Sequence, residues 1–207
     1  MEFITMLGEG GLTGQIRHGG RTGTALWWAA RDACLSKRRR AVDMARHLIN
    51  KGADVNAAGS ERGGNESAPL SWVAMAVCFG VEDAACLATR LVNISADFNA
   101  AATDGDGTTG TVLWWVARAV WSHSAGAVEL KEELELAKLL IAKGAEVTAT
   151  GKLRDGKEST PLWFAAWAVR DGEPGGLAMT KLLLTAENGG DVINAVGHHR
   201  GHQGKAV

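Results

Sequence analysis

One spacing constrains this chain more than any other feature: a step of 12 positions leads from the last residue of one recurring phrase to the first of the next, three times over. The closing phrases run Leu48-Ile-Asn-Lys-Gly-Ala-Asp-Val-Asn56, Leu91-Val-Asn-Ile-Ser-Ala-Asp-Phe-Asn99 and Leu140-Ile-Ala-Lys-Gly-Ala-Glu-Val-Thr148. The opening phrases are Thr24-Ala-Leu-Trp-Trp-Ala-Ala30, Ala68-Pro-Leu-Ser-Trp-Val-Ala74, Thr111-Val-Leu-Trp-Trp-Val-Ala117 and Thr160-Pro-Leu-Trp-Phe-Ala-Ala166. Their starts (24, 68, 111, 160) lie 44, 43 and 49 residues apart. A fourth closing phrase, Leu182 to Asn194, carries small insertions. Such recurrence marks a stack of similar units, each unable to bury its apolar face alone.

Local chemistry says what each unit is. Thr24, Thr111 and Thr160 can each cap a helix by accepting a backbone N–H through the hydroxyl. Pro69 and Pro161 fall in the first helical turn, where the missing N–H is not needed. In the third unit Leu130, Leu134, Ala137 and Ile141 form one stripe, broadened by Leu136, Leu139 and Leu140, with Glu132, Glu133, Glu135 and Lys138 left for solvent. Gly52 and Gly144 follow their helices where a left-handed cap is needed. The connections within that 12-position step, rich in Gly, Asp, Asn and Ser, suit protruding hairpins or fingers.

These phrases resemble the ankyrin repeat, marked by an opening Thr-Pro-Leu-His-x-Ala and a closing Gly-Ala-Asp-Val-Asn, over roughly residues 24 to 195. The resemblance implies an all-α, helix–turn–helix solenoid with extended finger loops. It divides one continuous domain into 1–23 (a preceding half repeat or N-terminal cap), 24–67, 68–110, 111–159, and 160–207 (a fourth repeat with a C-terminal finger). Two departures stand out. The period exceeds the usual 33, with inserts at Leu35 to Ala41, Cys78 to Asp83, Val120 to Val128 and Val169 to Gly176 that extend the first helix, the inter-helix loop, or both. Trp27, Ser71, Trp114 and Trp163 stand where the family has His, which predicts thicker, Trp-packed seams. The pattern runs out at both edges, as in a piece of a longer array or an array with unusual caps.

Composition excludes several function classes. A net charge of −1 supplies no concentrated basic surface for nucleic acid. No apolar run approaches a bilayer span, and Met1 to Leu7 is too short for a signal peptide. Three cysteines without a CxxC spacing (Cys34, Cys78, Cys86) read as reduced, small buried fillers in an intracellular, cytoplasmic protein. His198, His199 and His202 lack a fourth ligand at metal spacing, and Asp104-Gly-Asp-Gly107 lacks the further carboxylates of a calcium loop. Lys37-Arg-Arg-Arg40 reads as a solvated insert before it reads as a targeting signal or partner contact. No cofactor, metal or catalytic constellation is expected.

The expected role is therefore a non-catalytic protein–protein interaction scaffold, monomeric unless held in a larger complex. The alternative is a structural or linker subunit embedded in an assembly. The resemblance implies that partners bind the finger tips and the concave side of the first helices. Arg62, Asn65, Asp104, Asp106, Arg154 and Lys157 map to the fingers. Arg31, Met75, Arg118 and Trp167 lie seven residues after each repeat start and map to the helical side. Trp121 and Trp167, just past the shared phrase, are candidate exposed anchors, because Trp is enriched in binding hot spots. The Trp ladder as a whole reads as a core seam; its other reading is an aromatic strip that stacks a ligand.

Overall fold

The structure is a computed structural model that describes residues 14–62, 64–94, 96–122 and 127–186. Helices α1 (Ala25–Ser36), α3 (Pro69–Cys78), α5 (Val112–Ser122) and α7 (Pro161–Asp171) start at the four opening phrases. Their partners are α2 (Arg39–Asn50), α4 (Ala84–Asn93), α6 (Ala127–Ala142) and α8 (Gly176–Leu184). The capping threonines act as their sequence position predicts. Thr24 Oγ1 accepts from the Trp27 N–H at 3.3 Å, Thr111 from Trp114 at 3.4 Å and Thr160 from Trp163 at 3.2 Å. Ala68 has no such oxygen, and Pro69 opens α3 instead, its fixed φ already helical. Gly52 (φ +85°) and Gly144 (φ +89°) take the left-handed turn after α2 and α6.

The helices form two layers. α1, α3, α5 and α7 pack side by side in one, α2, α4, α6 and α8 in the other, and each helix also packs on its hairpin partner. One apolar cluster runs through both layers. α3 lies deepest, between α1 and α5, and every residue from Pro69 to Cys78 is buried. The inserts serve both expected purposes. They carry α1 to Ser36 and α7 to Asp171, and they form short turns, such as Lys37-Arg38, where Lys37 adopts φ +53°.

The connections are not irregular loops, and the chain is not purely all-α. Each is a hairpin, and the hairpins pair into two four-stranded antiparallel sheets of order β1-β2-β3-β4 and β5-β6-β7-β8. The first finger is β1 (Ile16–His18) with β2 (Arg21–Gly23), and the second is β3 (Gly59–Ser60) with β4 (Glu66–Ser67). The third is β5 (Ala102–Thr103) with β6 (Thr109–Gly110), and the fourth is β7 (Gly151–Lys152) with β8 (Glu158–Ser159). Thr22 pairs with Ser60 across the first and second fingers, and Thr109 with Lys152 across the third and fourth. Backbone groups that a lone two-stranded finger would leave to solvent are thereby shared with a neighbour. The unit of the fold is thus a pair of repeats, a grouping that the 43-to-49-residue period conceals.

Three packing expectations need correction. Glu133 is 2% exposed, because the stripe of α6 centres on Leu136, Ala137 and Leu140 and brings Glu133 inward. Leu130, Leu134, Leu139 and Ile141 are only half-buried. Cys86 is exposed, on the outer side of α4, whereas Cys34 and Cys78 are buried.

Candidate binding surface

Tryptophan roots the fingers to the helices. The Trp27 ring lies under β2 and β3, so close that a Cβ on Gly23 or Gly59 would sit 2.4 Å from it. Trp114 repeats the arrangement beneath β6 and β7, where a Cβ on Gly110 or Gly151 would also fall 2.4 Å from the ring. The indole N–H of Trp27 donates to Ser67 Oγ (3.2 Å), and that of Trp114 to Ser159 O (3.0 Å). Edge-to-face contacts continue the seam: Trp27 to Trp28 at 5.1 Å and to Trp72 at 6.0 Å, Trp114 to Trp115 and to Phe164 at 4.9 Å each. Between the two sheets the set changes together. Ser71 replaces the ring, and Ser67 and Ala102 stand where Gly23 and Gly59 stand in the first pair. A cleft of about 290 Å³ remains there, lined by Ser67, Ser71 and Ala101 among others.

Above the rings sits a row of charge. The Arg31 guanidinium lies 5.7 Å from the Trp28 ring centroid and 5.6 Å from that of Trp72. Its Nε donates to Glu61, whose second oxygen accepts from Arg21 Nε at 2.5 Å. Burial alone would raise the Glu61 pKa, but the hydrogen bonds and charges of Arg31 and Arg21 outweigh it and hold the carboxyl below its ordinary 4.5. Glu61 was not among the residues that the sequence singles out. Only the finger hairpin, folding back over α1, brings it to Arg31.

Nine of the eleven candidate residues fall into three groups. Arg31, Arg62, Asn65 and Asp104 meet in a groove of about 230 Å³, with Glu61 and Trp72. Asp106 and Arg154 approach to 3.7 Å across the tips of the third and fourth fingers, both exposed, while Lys157 pairs within its own finger with Asp155 at 2.8 Å. Trp121 and Trp167 come together near the C-terminal end of the stack, 6.4 Å apart, with Trp163 among them. They are half-buried in an aromatic cluster and do not project. The Trp121 N–H donates to Asp171 (3.0 Å), and Arg170 stacks 3.4 Å above the Trp167 ring. Met75 is a correction: it is fully buried, because α3 is enclosed by α1, α5 and α4, and offers nothing to a partner. Arg118 is half-buried, its guanidinium 5.3 Å from the Trp115 ring.

Other sequence signals have local explanations. Asp104 accepts the N–H groups of Asp106 and Thr108, each at 2.9 Å, so the Asp-Gly-Asp-Gly segment is built as a turn. Arg39 of the basic run pairs with Glu82 (2.6 Å) and Asp83 (3.0 Å) of the next unit, and the run stays exposed. His198, His199 and His202 lie outside the described residues. Among the described residues no group of His, Cys, Asp and Glu is placed to hold a metal, and no helix is long and apolar enough to cross a membrane. Burial pushes the Cys34 thiol up to about 12 and the Cys78 thiol to about 11. At mildly alkaline pH a thiol reagent should therefore label Cys86 alone in the folded protein and all three cysteines in denaturant. Mass spectrometry of labelled peptides checks this, and equal labelling of Cys34 and Cys86 would contradict the packing.

Residues 23–60, from the end of β2 through β3, match the family model of the ankyrin repeat, so the chain carries this repeat at its first helix pair. The remaining helix pairs share the same layered arrangement. Among curated proteins none matches the chain.

Proposed function

We propose that this ankyrin-repeat chain is a non-catalytic scaffold that binds one or more proteins through its finger tips and the inner side of its first helices. Ankyrin repeats generally serve protein–protein interaction. The observation that carries the reading for this chain is the state of its tips. Paired sheets fix the bases of the fingers, while Asp106 and Arg154 stay 67% and 77% exposed and their ion pair is loose. Such a pair contributes little to stability, so these charges are free to be spent on recognition. The groove of Arg31, Arg62, Asn65 and Asp104 adjoins them as a second polar contact area.

Reversal of the tip charges (Arg62→Glu, Asp106→Lys, Arg154→Glu) tests this. The triple variant should keep its thermal stability and lose the proteins that the wild-type chain captures from its source cells, scored by quantitative mass spectrometry. Unchanged capture by a folded variant would remove the fingers from the reading. One observation favours the embedded-subunit alternative: Val169, Leu177 and Leu184, on the last helix pair, are 46%, 57% and 42% exposed. Stable co-purification of one protein, lost on polar substitution of these three but not on tip reversal, would select it.

A further inference from the structure

Arg31 and Arg118 occupy one structural position, seven residues into the units that begin at Thr24 and Thr111. Each guanidinium rests on a tryptophan pair. Arg31 is 6.0 Å from the Trp27 centroid and 5.7 Å from Trp28; Arg118 is 6.0 Å from Trp114 and 5.3 Å from Trp115. The two sites differ in what closes them. Glu61 opens the tip turn of the second finger, its N–H donating to the Asn65 carbonyl, and its side chain clamps Arg31. In the fourth finger the same turn position, its N–H donating to the Lys157 carbonyl, is held by Leu153. The clamp is missing. Arg118 Nε and Nη1 are shielded from solvent and have no hydrogen-bond partner, and no ion pair of Arg118 occurs among the described residues.

A guanidinium cannot discharge by losing its proton. Stripped of water and left unpaired, its donors cost more than an ordinary lost hydrogen bond. A carboxylate that reaches them relieves that cost through short charge-assisted bonds. The first repeat pair displays the solution, a single carboxylate on an arginine that is seated on two indoles. We propose that Arg118 anchors a carboxylate of a bound protein, an Asp or Glu side chain or a free C-terminus, in the place that Glu61 takes at Arg31. Rings of Trp114 and Trp115 form the floor of the site, and the turn position that supplies Glu61 in the second finger carries the apolar Leu153 in the fourth. Asp104 and Glu133 act electrostatically on the buried Cys78 thiol, as Arg118 does. Their negative charge opposes phosphate dianions and nucleic acid more strongly than a single carboxylate.

The inference rests on the protein-recognition reading and narrows it to one chemical requirement. Its test uses random displayed peptides selected on the whole chain, followed by anisotropy titrations of the synthetic winners. Selected sequences should share an acidic residue or depend on their free C-terminus, and amidation of that one carboxylate should weaken binding about 10- to 100-fold. Arg118→Met should cause the same loss. Leu153→Glu, which restores the internal clamp, should also block binding while leaving the protein at least as stable, so a folding defect cannot mimic the result. Comparison of side-chain and C-terminal amides identifies which carboxylate is used. Winners that bind wild type, Arg118→Met and Leu153→Glu alike would overturn the anchor. If those winners fail on the tip-reversed triple variant, protein recognition stands without it. A selection that yields no peptide overturns the anchor, and unchanged capture after tip reversal would then count against the wider reading too.

Discussion

Trp114→Ala should lower the unfolding free energy by about 3–5 kcal/mol, the usual cost of removing a large buried ring. Urea titration followed by circular dichroism measures it. The ring is fully buried and joins three things at once: the α5 backbone, the β6–β7 sheet and the Phe164 edge. Gly151→Ala should be costly for the converse reason. The added methyl would lie 2.4 Å from the ring and 2.5 Å from the Thr109 carbonyl oxygen, and a backbone atom cannot step aside as a flexible side chain does. Overpacking of this kind costs about 1–3 kcal/mol. The seam between the sheets suggests a cure. Combining Trp114→Ser with Gly110→Ser and Gly151→Ala copies the set Ser71, Ser67 and Ala102. The triple variant should be less destabilised than the sum of its single changes, by the about 0.5–3 kcal/mol typical of residues in contact. Strict additivity would mean that ring and glycines are not one unit.

Glu61→Gln should remove about 1–3 kcal/mol at neutral pH, the cost of weakening charge-assisted bonds to two arginines that stay partly buried. It should also flatten the acid limb of the stability curve. The sign follows from linkage. Arg31 and Arg21 hold the folded-state pKa below its ordinary 4.5, so Glu61 binds a proton more readily in the unfolded chain. Its contribution is therefore complete above about pH 4.5 and fades as the pH drops through the lower folded value. Wild-type stability should fall across that window, and the Gln variant should fall less. Parallel curves for the two proteins would show that the clamp does not titrate as described.

The helices were legible because their signals are local. A hydroxyl before Ala25, Val112 and Pro161, an apolar stripe and a glycine after α2 and α6 each act within a few residues. The sheets were not legible. Strands as short as Gly59–Ser60 and Glu66–Ser67 carry no alternating pattern, and their pairing depends on neighbouring fingers being brought side by side by helices. The tryptophans were read as a packed seam, and the contacts of Trp27 with Trp72 and of Trp114 with Phe164 are such a seam; their second role was not read. Trp27 and Trp114 also plug the finger roots, and the clue was the glycine before Thr24 and Thr111 that is serine before Ala68 and Thr160. Met75 misled because spacing alone says which turn of the helix a residue occupies, not whether a neighbouring helix covers that turn. Glu61 and Leu153 escaped notice for the opposite reason. Both look like ordinary finger residues until the hairpin lays Glu61 over Arg31, 30 positions upstream, and the matching turn bond shows that Leu153 holds the same place in the fourth finger.

Pairing of the fingers also restricts how such an array can change length. A duplication that copied one unit would place a Gly-flanked indole against strands bearing Ser and Ala, or leave a strand pair without its ring. Copying two units together, from Gly23 through Ser67 and on to the strand before Thr111, preserves every match between ring, glycine and hydroxyl. Lineages of this architecture should gain and lose repeats in even numbers, and an odd count should be accompanied by a compensating Trp-to-Ser or Gly-to-Ser exchange at the new junction.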